Sequence, residues 1–91
     1  MNKDSEKYIE PYLKDRIESL GGKCPKWVSP GNNGVPDRII LLDHRVAFAE
    51  LKTKGKKLDP MQVYWEKVLK SLGLEHYKID NIQMINDLFP L

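Results

Sequence analysis

Apolar side chains at Tyr8, Ile9, Tyr12, Leu13, Ile17 and Leu20 recur every three or four positions, and Gly21-Gly22 ends the run. That spacing predicts a helix over residues 4–20. Pro11 lies inside it and should kink the helix or mark a restart of its first turn, because its nitrogen carries no proton. Residues 23–28 read as a short strand, assigned to a sheet edge by Pro25. Ser29-Pro-Gly-Asn-Asn-Gly34 is a loop of residues that tolerate positive φ. The period then shortens. Arg38-Ile-Ile-Leu-Leu42 and Arg45-Val-Ala-Phe-Ala49 are apolar runs on either side of Asp43-His44, the pattern of a β-hairpin. After a basic loop over residues 53–57, a second helix starts with Asp59 as N-cap, Pro60 at the first helical position and Gln62 at the third. Met61, Tyr64, Trp65, Val68, Leu69 and Leu72 give that helix an apolar face, and Gly73 closes it. Residues 75–79 suggest a last strand, and Asp80 caps a short final helix containing Ile82, Ile85 and Leu88. The order is α-β-β-β-α-β-α: a mixed sheet flanked by helices, of the α/β (α+β) class. One domain over residues 1–91 is expected, without repeat or linker.

The hairpin carries the chemistry. If Asp43-His44 is a two-residue loop, Leu42 pairs with Arg45, and counting back five places on each arm sets Asp37 opposite Glu50. A three-residue loop would set Asp37 opposite Leu51 instead. Directly opposed residues hold their Cβ atoms about 4.5–5.5 Å apart, and like charges there repel. Residues 38–42 and 46–49 supply apolar side chains to both faces, so the hairpin should run through the middle of the domain, where an unpaired carboxylate is costly. Two such carboxylates call for a cation. Lys52, two residues past Glu50, projects from the same strand face. A Glu-x-Lys alone is also the pattern of a solvated face, and a lone Pro-Asp that of a turn. Their combination on a buried hairpin favours a metal site with an ammonium beside it.

Composition narrows the partners. A chain of 91 residues buries only about 60–65% of its unfolded surface. The net charge of +2 is too small to announce nucleic-acid binding, so any positive field must come from local clustering. Lys54, Lys56 and Lys57 form such a cluster, with Arg38 nearby in sequence. A lysine loop often serves solubility alone, but beside a metal site it suits phosphate contacts that position a substrate without reading bases. The single Cys24 excludes an internal disulfide and fits a reducing cytoplasm. One Cys and two distant His do not make a zinc site. No apolar run approaches the ~20 residues of a membrane span, and the charged N-terminus shows no secretory signal.

Gly34-Val-Pro-Asp-Arg38, Phe48-Ala-Glu-Leu-Lys52 and Gln62 after the basic loop together resemble the VRR-NUC family of the PD-(D/E)XK nuclease superfamily. The likeness runs from about Ser29 to Val68. It implies a restriction-endonuclease-like αβββαβα core and hydrolysis of DNA phosphodiesters with Mg²⁺ or Mn²⁺. Asp37 and Glu50 are then metal ligands, joined by the backbone carbonyl of Leu51. Lys52 orients or deprotonates the attacking water, or stabilises developing charge. Glu10 corresponds to a carboxylate that relatives often carry on the first helix, although an exposed helix Glu reads the same. Gln62 either belongs to the active-site motif or simply caps its helix by bonding back to Asp59. The family further suggests a homodimer acting on branched DNA such as four-way junctions, in the cytoplasm of a bacterial host or phage-infected cell. A non-catalytic DNA-binding protein that kept the fold is the rival. It would most naturally show a broken motif, and Asp37, Glu50, Lys52 and Gln62 are all present.

Overall fold

The computed structural model describes residues 5–91. Its elements are α1 (Glu6–Ser19), β1 (Arg38–Leu42), β2 (Arg45–Leu51), α2 (Pro60–Ser71), β3 (Glu75–Ile79) and α3 (Ile82–Leu88). Helix α1 buries Ile9, Leu13 and Ile17, a single stripe at i, i+4, i+8. The helix runs unbroken through Pro11, whose exposed position leaves the lost hydrogen bond to solvent. The expected start at residue 4 lies outside the described residues.

The sheet order is β1-β2-β3. Strands β1 and β2 form the expected hairpin, antiparallel from Leu42↔Arg45 to Arg38↔Ala49. His44 takes a positive φ (57°) at the second position of its two-residue turn. Strand β3 returns through α2 and joins β2 in parallel, with Glu50↔Lys78 and Leu51↔Ile79 in register. The expected strand over residues 23–28 is reduced to two isolated bridges, Lys23↔Leu41 and Lys26↔Arg38. Pro25 explains the reduction: it has no N–H for a ladder, though its carbonyl still accepts from Ile39 N–H at 2.9 Å.

Alternation along the strands separates two faces. Ile40, Ala47, Ala49, Leu51 and Ile79 point to one side and pack with Ile9, Leu13, Ile17, Ile85 and Phe89 in the main core. Each fully buried Ile, Leu or Phe there contributes about 1.5–3 kcal/mol. Helix α3 is held to this face by Arg45, which donates to the Leu88 carbonyl at 2.9 Å and lies 4.8 Å over the Phe89 ring. Its N-cap is Asn81, whose side chain accepts from Met84 N–H at 2.8 Å. The expected cap, Asp80, is occupied elsewhere.

Phe48, Glu50, Lys52, His76 and Lys78 lie on the opposite face. There Trp27 packs at 5.3 Å from Phe48 and 5.7 Å from Trp65, and Trp65 Nε1 donates to the Asn33 carbonyl at 3.0 Å. Gly34 lets the same loop lie against α2. Its φ is 84°, and a Cβ there would stand 2.5 Å from the Met61 carbonyl carbon. This contact fixes where the chain enters Asp37.

Candidate active site

The hairpin register brings the two acids together. One rung beyond Arg38↔Ala49 stand Asp37 and Glu50, as the sequence expects. The Asp37 carbonyl accepts from Trp27 N–H at 3.0 Å, and its carboxylate Oδ2 accepts from Leu51 N–H at 2.9 Å. Glu50 is 2% exposed. Burial pushes its pKa up to about 9, the hydrogen bond with Asp37 and the Asp37 charge add to the rise, and the Lys52 ammonium opposes it. Without a cation, Glu50 therefore holds its proton at neutral pH and shares it with Asp37.

Lys52 is 6% exposed, and its backbone N–H extends the ladder to the Ile79 carbonyl at 3.0 Å. Its Nζ stands 3.7 Å from Asp59 Oδ2, which ties the ammonium to the N-terminus of α2. Gln62 Oε1 accepts from Asp59 N–H at 2.8 Å, so the capping function is realised. That bond uses the oxygen of Gln62 and leaves its amide N–H₂ as the donor available to a ligand. The capping and catalytic readings are thus compatible in one side chain.

Two site expectations change. Glu10 does not turn towards the acid pair: its Oε2 accepts from Arg38 Nε at 2.9 Å. The α1 carboxylate whose charge reaches Glu50 is Glu6, one turn earlier on the same helix face, and it contributes to the raised Glu50 pKa. Arg38 is likewise not an open phosphate contact. Its side chain is 11% exposed, and its guanidinium bridges Glu10 and the Cys24 carbonyl, the latter at 2.8 Å. Arg38 fastens α1 and the edge segment to the hairpin.

All three lysines of the loop, Lys54, Lys56 and Lys57, are exposed. The loop turns where Lys56 N–H meets the Thr53 carbonyl at 2.9 Å, with Gly55 at φ 81°. Lys78, which no sequence pattern singles out, is opposite Glu50 in the β2–β3 register and donates from Nζ to the Lys56 carbonyl at 3.0 Å. Tyr64 stands 54% exposed on α2 beside the half-buried Trp65, and Phe89 is core at 1% exposure.

The donor set determines which cation fits. Among the described residues, no three His, Cys, Asp or Glu side chains converge. Asp37 and Glu50 offer carboxylate oxygens only, which suits a hard cation such as Mg²⁺ or Mn²⁺ and not a thiolate or imidazole metal. A divalent ion would displace the proton that the buried pair otherwise retains.

A hairpin with opposed acids, a lysine two residues on and a parallel strand added through a crossover helix defines a restriction-endonuclease-like nuclease fold. Comparison with known proteins agrees. A solved structure described as "VRR_NUC domain" superposes with a TM-score of 0.84 at 28% identity, covering 91% of each chain. A protein of Acyrthosiphon pisum secondary endosymbiont phage 1, "Putative nuclease p44", is 35% identical over 86 residues, 93% of this chain and 91% of its own length. No family model matches the chain. The chain belongs to the VRR-NUC family of nucleases.

Proposed function

We propose that this single-domain chain is a Mg²⁺- or Mn²⁺-dependent DNA endonuclease selective for branched DNA, acting as a homodimer in the cytoplasm of a bacterial host or phage-infected cell. The observation that carries the reading is the acid pair: Glu50, 2% exposed, bonded to the half-buried Asp37 and flanked by Lys52. A stable core alone would not place the Glu50 carboxyl there beside a second acid, because desolvating its charge costs several kcal/mol. Asp37, Glu50 and the Leu51 carbonyl would hold the ion, with Glu6 adding negative charge. When bound, the ion stabilises charge on the scissile phosphate and acidifies water.

The chain's own groups do the rest. Lys52, buried and held by Asp59, orients or deprotonates the attacking water, or stabilises charge developing on the phosphate. Gln62 points its free amide protons at water or phosphate from a helix turn that its own oxygen has fixed. Lys54, Lys56 and Lys57 contact the phosphate backbone beside the cleaved bond, and such contacts position without reading sequence. Few phosphate contacts per chain favour two chains per substrate, since affinity grows with phosphates neutralised. A two-fold dimer would set two sites on a four-way junction of matching symmetry. Exposed Leu41, Val46, Tyr64 and Leu72 offer apolar surface for it, whereas Phe89 does not.

The test is cleavage of labelled linear, flapped and four-way DNA with Mg²⁺, Mn²⁺ or EDTA, together with light scattering. Metal-dependent nicking, fastest on the four-way substrate and by a species of dimer mass, is expected. Binding without cleavage in either metal would establish the non-catalytic rival. Equal rates on linear and four-way DNA would refute the selectivity, and a monomer mass with and without junction would refute the dimer.

A further inference from the structure

The end of β3 meets the lysine loop in two places. Lys78 Nζ donates to the Lys56 carbonyl at 3.0 Å, and Asp80 Oδ2 accepts from Gly55 N–H at 3.3 Å. Asp80 is itself steadied, since its Oδ1 accepts from Asn81 Nδ2 at 2.8 Å, and Asn81 caps α3. The loop is therefore held at two adjacent residues, Gly55 and Lys56, from β3 and the residue that follows it. Lys78 is directly opposite Glu50 in the β2–β3 pairing. Its ammonium donates to loop backbone at the Lys56 carbonyl.

The loop by itself is poorly ordered by its sequence. Thr53-Lys-Gly-Lys-Lys57 has no apolar side chain to anchor it, and Gly55 has the largest conformational freedom of any residue. Three flexible lysines bind phosphate well only if their backbone is already in place, because ordering it on binding subtracts from affinity.

We propose that Lys78 and Asp80 are positioning residues for substrate, clamping the turn at residues 53–57 so that its lysines meet the phosphate backbone beside the acid pair. This inference rests on the nuclease reading above and deepens it. It assigns to Asp80, an acid, a role in binding a polyanion. Simple electrostatics predicts the opposite, since removing a negative charge near the DNA should tighten binding. The two accounts differ in sign.

The experiment compares wild type, Asp80→Ala, Lys78→Met and Lys78→Arg by DNA affinity at several salt concentrations in Ca²⁺-free EDTA buffer. KM and kcat in Mn²⁺ and amide hydrogen exchange of the free protein complete the set. Asp80→Ala is expected to weaken DNA binding by roughly three- to tenfold, the worth of one or two phosphate contacts, with a shallower salt dependence. Exchange at residues 54–56 should accelerate, and KM should rise more than kcat falls. Lys78→Met should do the same, and Lys78→Arg, which keeps a donor for the Lys56 carbonyl, should recover most of the loss. Tighter binding by Asp80→Ala, or unchanged loop exchange in both variants, would overturn the clamp. If the wild type neither binds nor cleaves DNA, the nuclease reading itself fails, and the exchange data still show whether the clamp orders the loop.

Discussion

Replacing Glu50 by Gln tests the acid pair most directly. The carboxyl of Glu50 ordinarily titrates near 4.5 and is pushed up to about 9 in the fold. Between those values the folded protein holds a proton that the unfolded chain has released. The contribution is therefore fully present below 4.5 and is lost as pH rises towards 9. At 1.36 kcal/mol per unit, the 2.5 units from 4.5 to neutrality correspond to at most about 3 kcal/mol, because Asp37 relaxes together with its partner. Glutamine keeps the shape and a donor for Asp37 but has nothing to titrate. For metal-free protein, the Tm of wild type should fall from pH 5.5 to 8 by roughly 10–20 °C more than that of Glu50→Gln, given about 4–8 °C per kcal/mol at this size. Adding Mn²⁺ at pH 8 should reverse the difference. The ion supplies the charge that the proton no longer supplies, and saturation at 100 times Kd adds about 2.7 kcal/mol to wild type only. Scanning calorimetry across pH, with and without Mn²⁺, reads both arms. Parallel Tm–pH curves for the two proteins would refute the buried, shared-proton account, and equal Mn²⁺ stabilisation of both would remove Glu50 from the ligand set.

Other outcomes follow from the same geometry. Lys52→Ala should retain Mn²⁺ and DNA binding while turnover drops roughly 10²–10⁴-fold; lost metal affinity with near-normal turnover at saturating Mn²⁺ would contradict its placement. Glu6→Gln should weaken Mn²⁺ binding in calorimetric titration, whereas Glu10→Gln should leave it unchanged and lower stability by about 1 kcal/mol through the loss of the Arg38 pair. The reverse pattern would restore Glu10 as the site acid. Gly34→Ala should cost more than about 1 kcal/mol in urea unfolding and lower activity, because both its φ and its contact with Met61 exclude a side chain. His76 is buried, its Nδ1 lacks a hydrogen-bond partner at 3.5 Å from Glu66, and burial lowers its pKa. Folded protein thus binds fewer protons there than unfolded chain below about 6.5, so acidification destabilises it. His76→Phe should flatten that acid limb in a Tm–pH series.

The hairpin and its acids were determined by the sequence alone. The two apolar runs leave only the loop length open, and once the turn is the two residues Asp43-His44, strand alternation forces Asp37, Glu50 and Lys52 to one rim. The start of α2 was equally local, since Asp59, Pro60 and Gln62 act within a single turn. What lay beyond reach were relations between elements distant in the chain. Glu6 and Glu10 share one face of α1 at helical spacing, and periodicity cannot say which meets the sheet edge. The choice is made by Arg38, which draws Glu10 towards the edge segment and leaves Glu6 near Glu50. Arg38 itself reads as a surface cation until packing buries it. Lys78 depended on the parallel register of β2 with β3, which a crossover through α2 sets and no turn specifies. Asp80 has the residue type of a helix cap, and only the approach of the lysine loop gives it another partner. Local chemistry wrote the motif, and the docking of α1 and β3 decided which charges surround it.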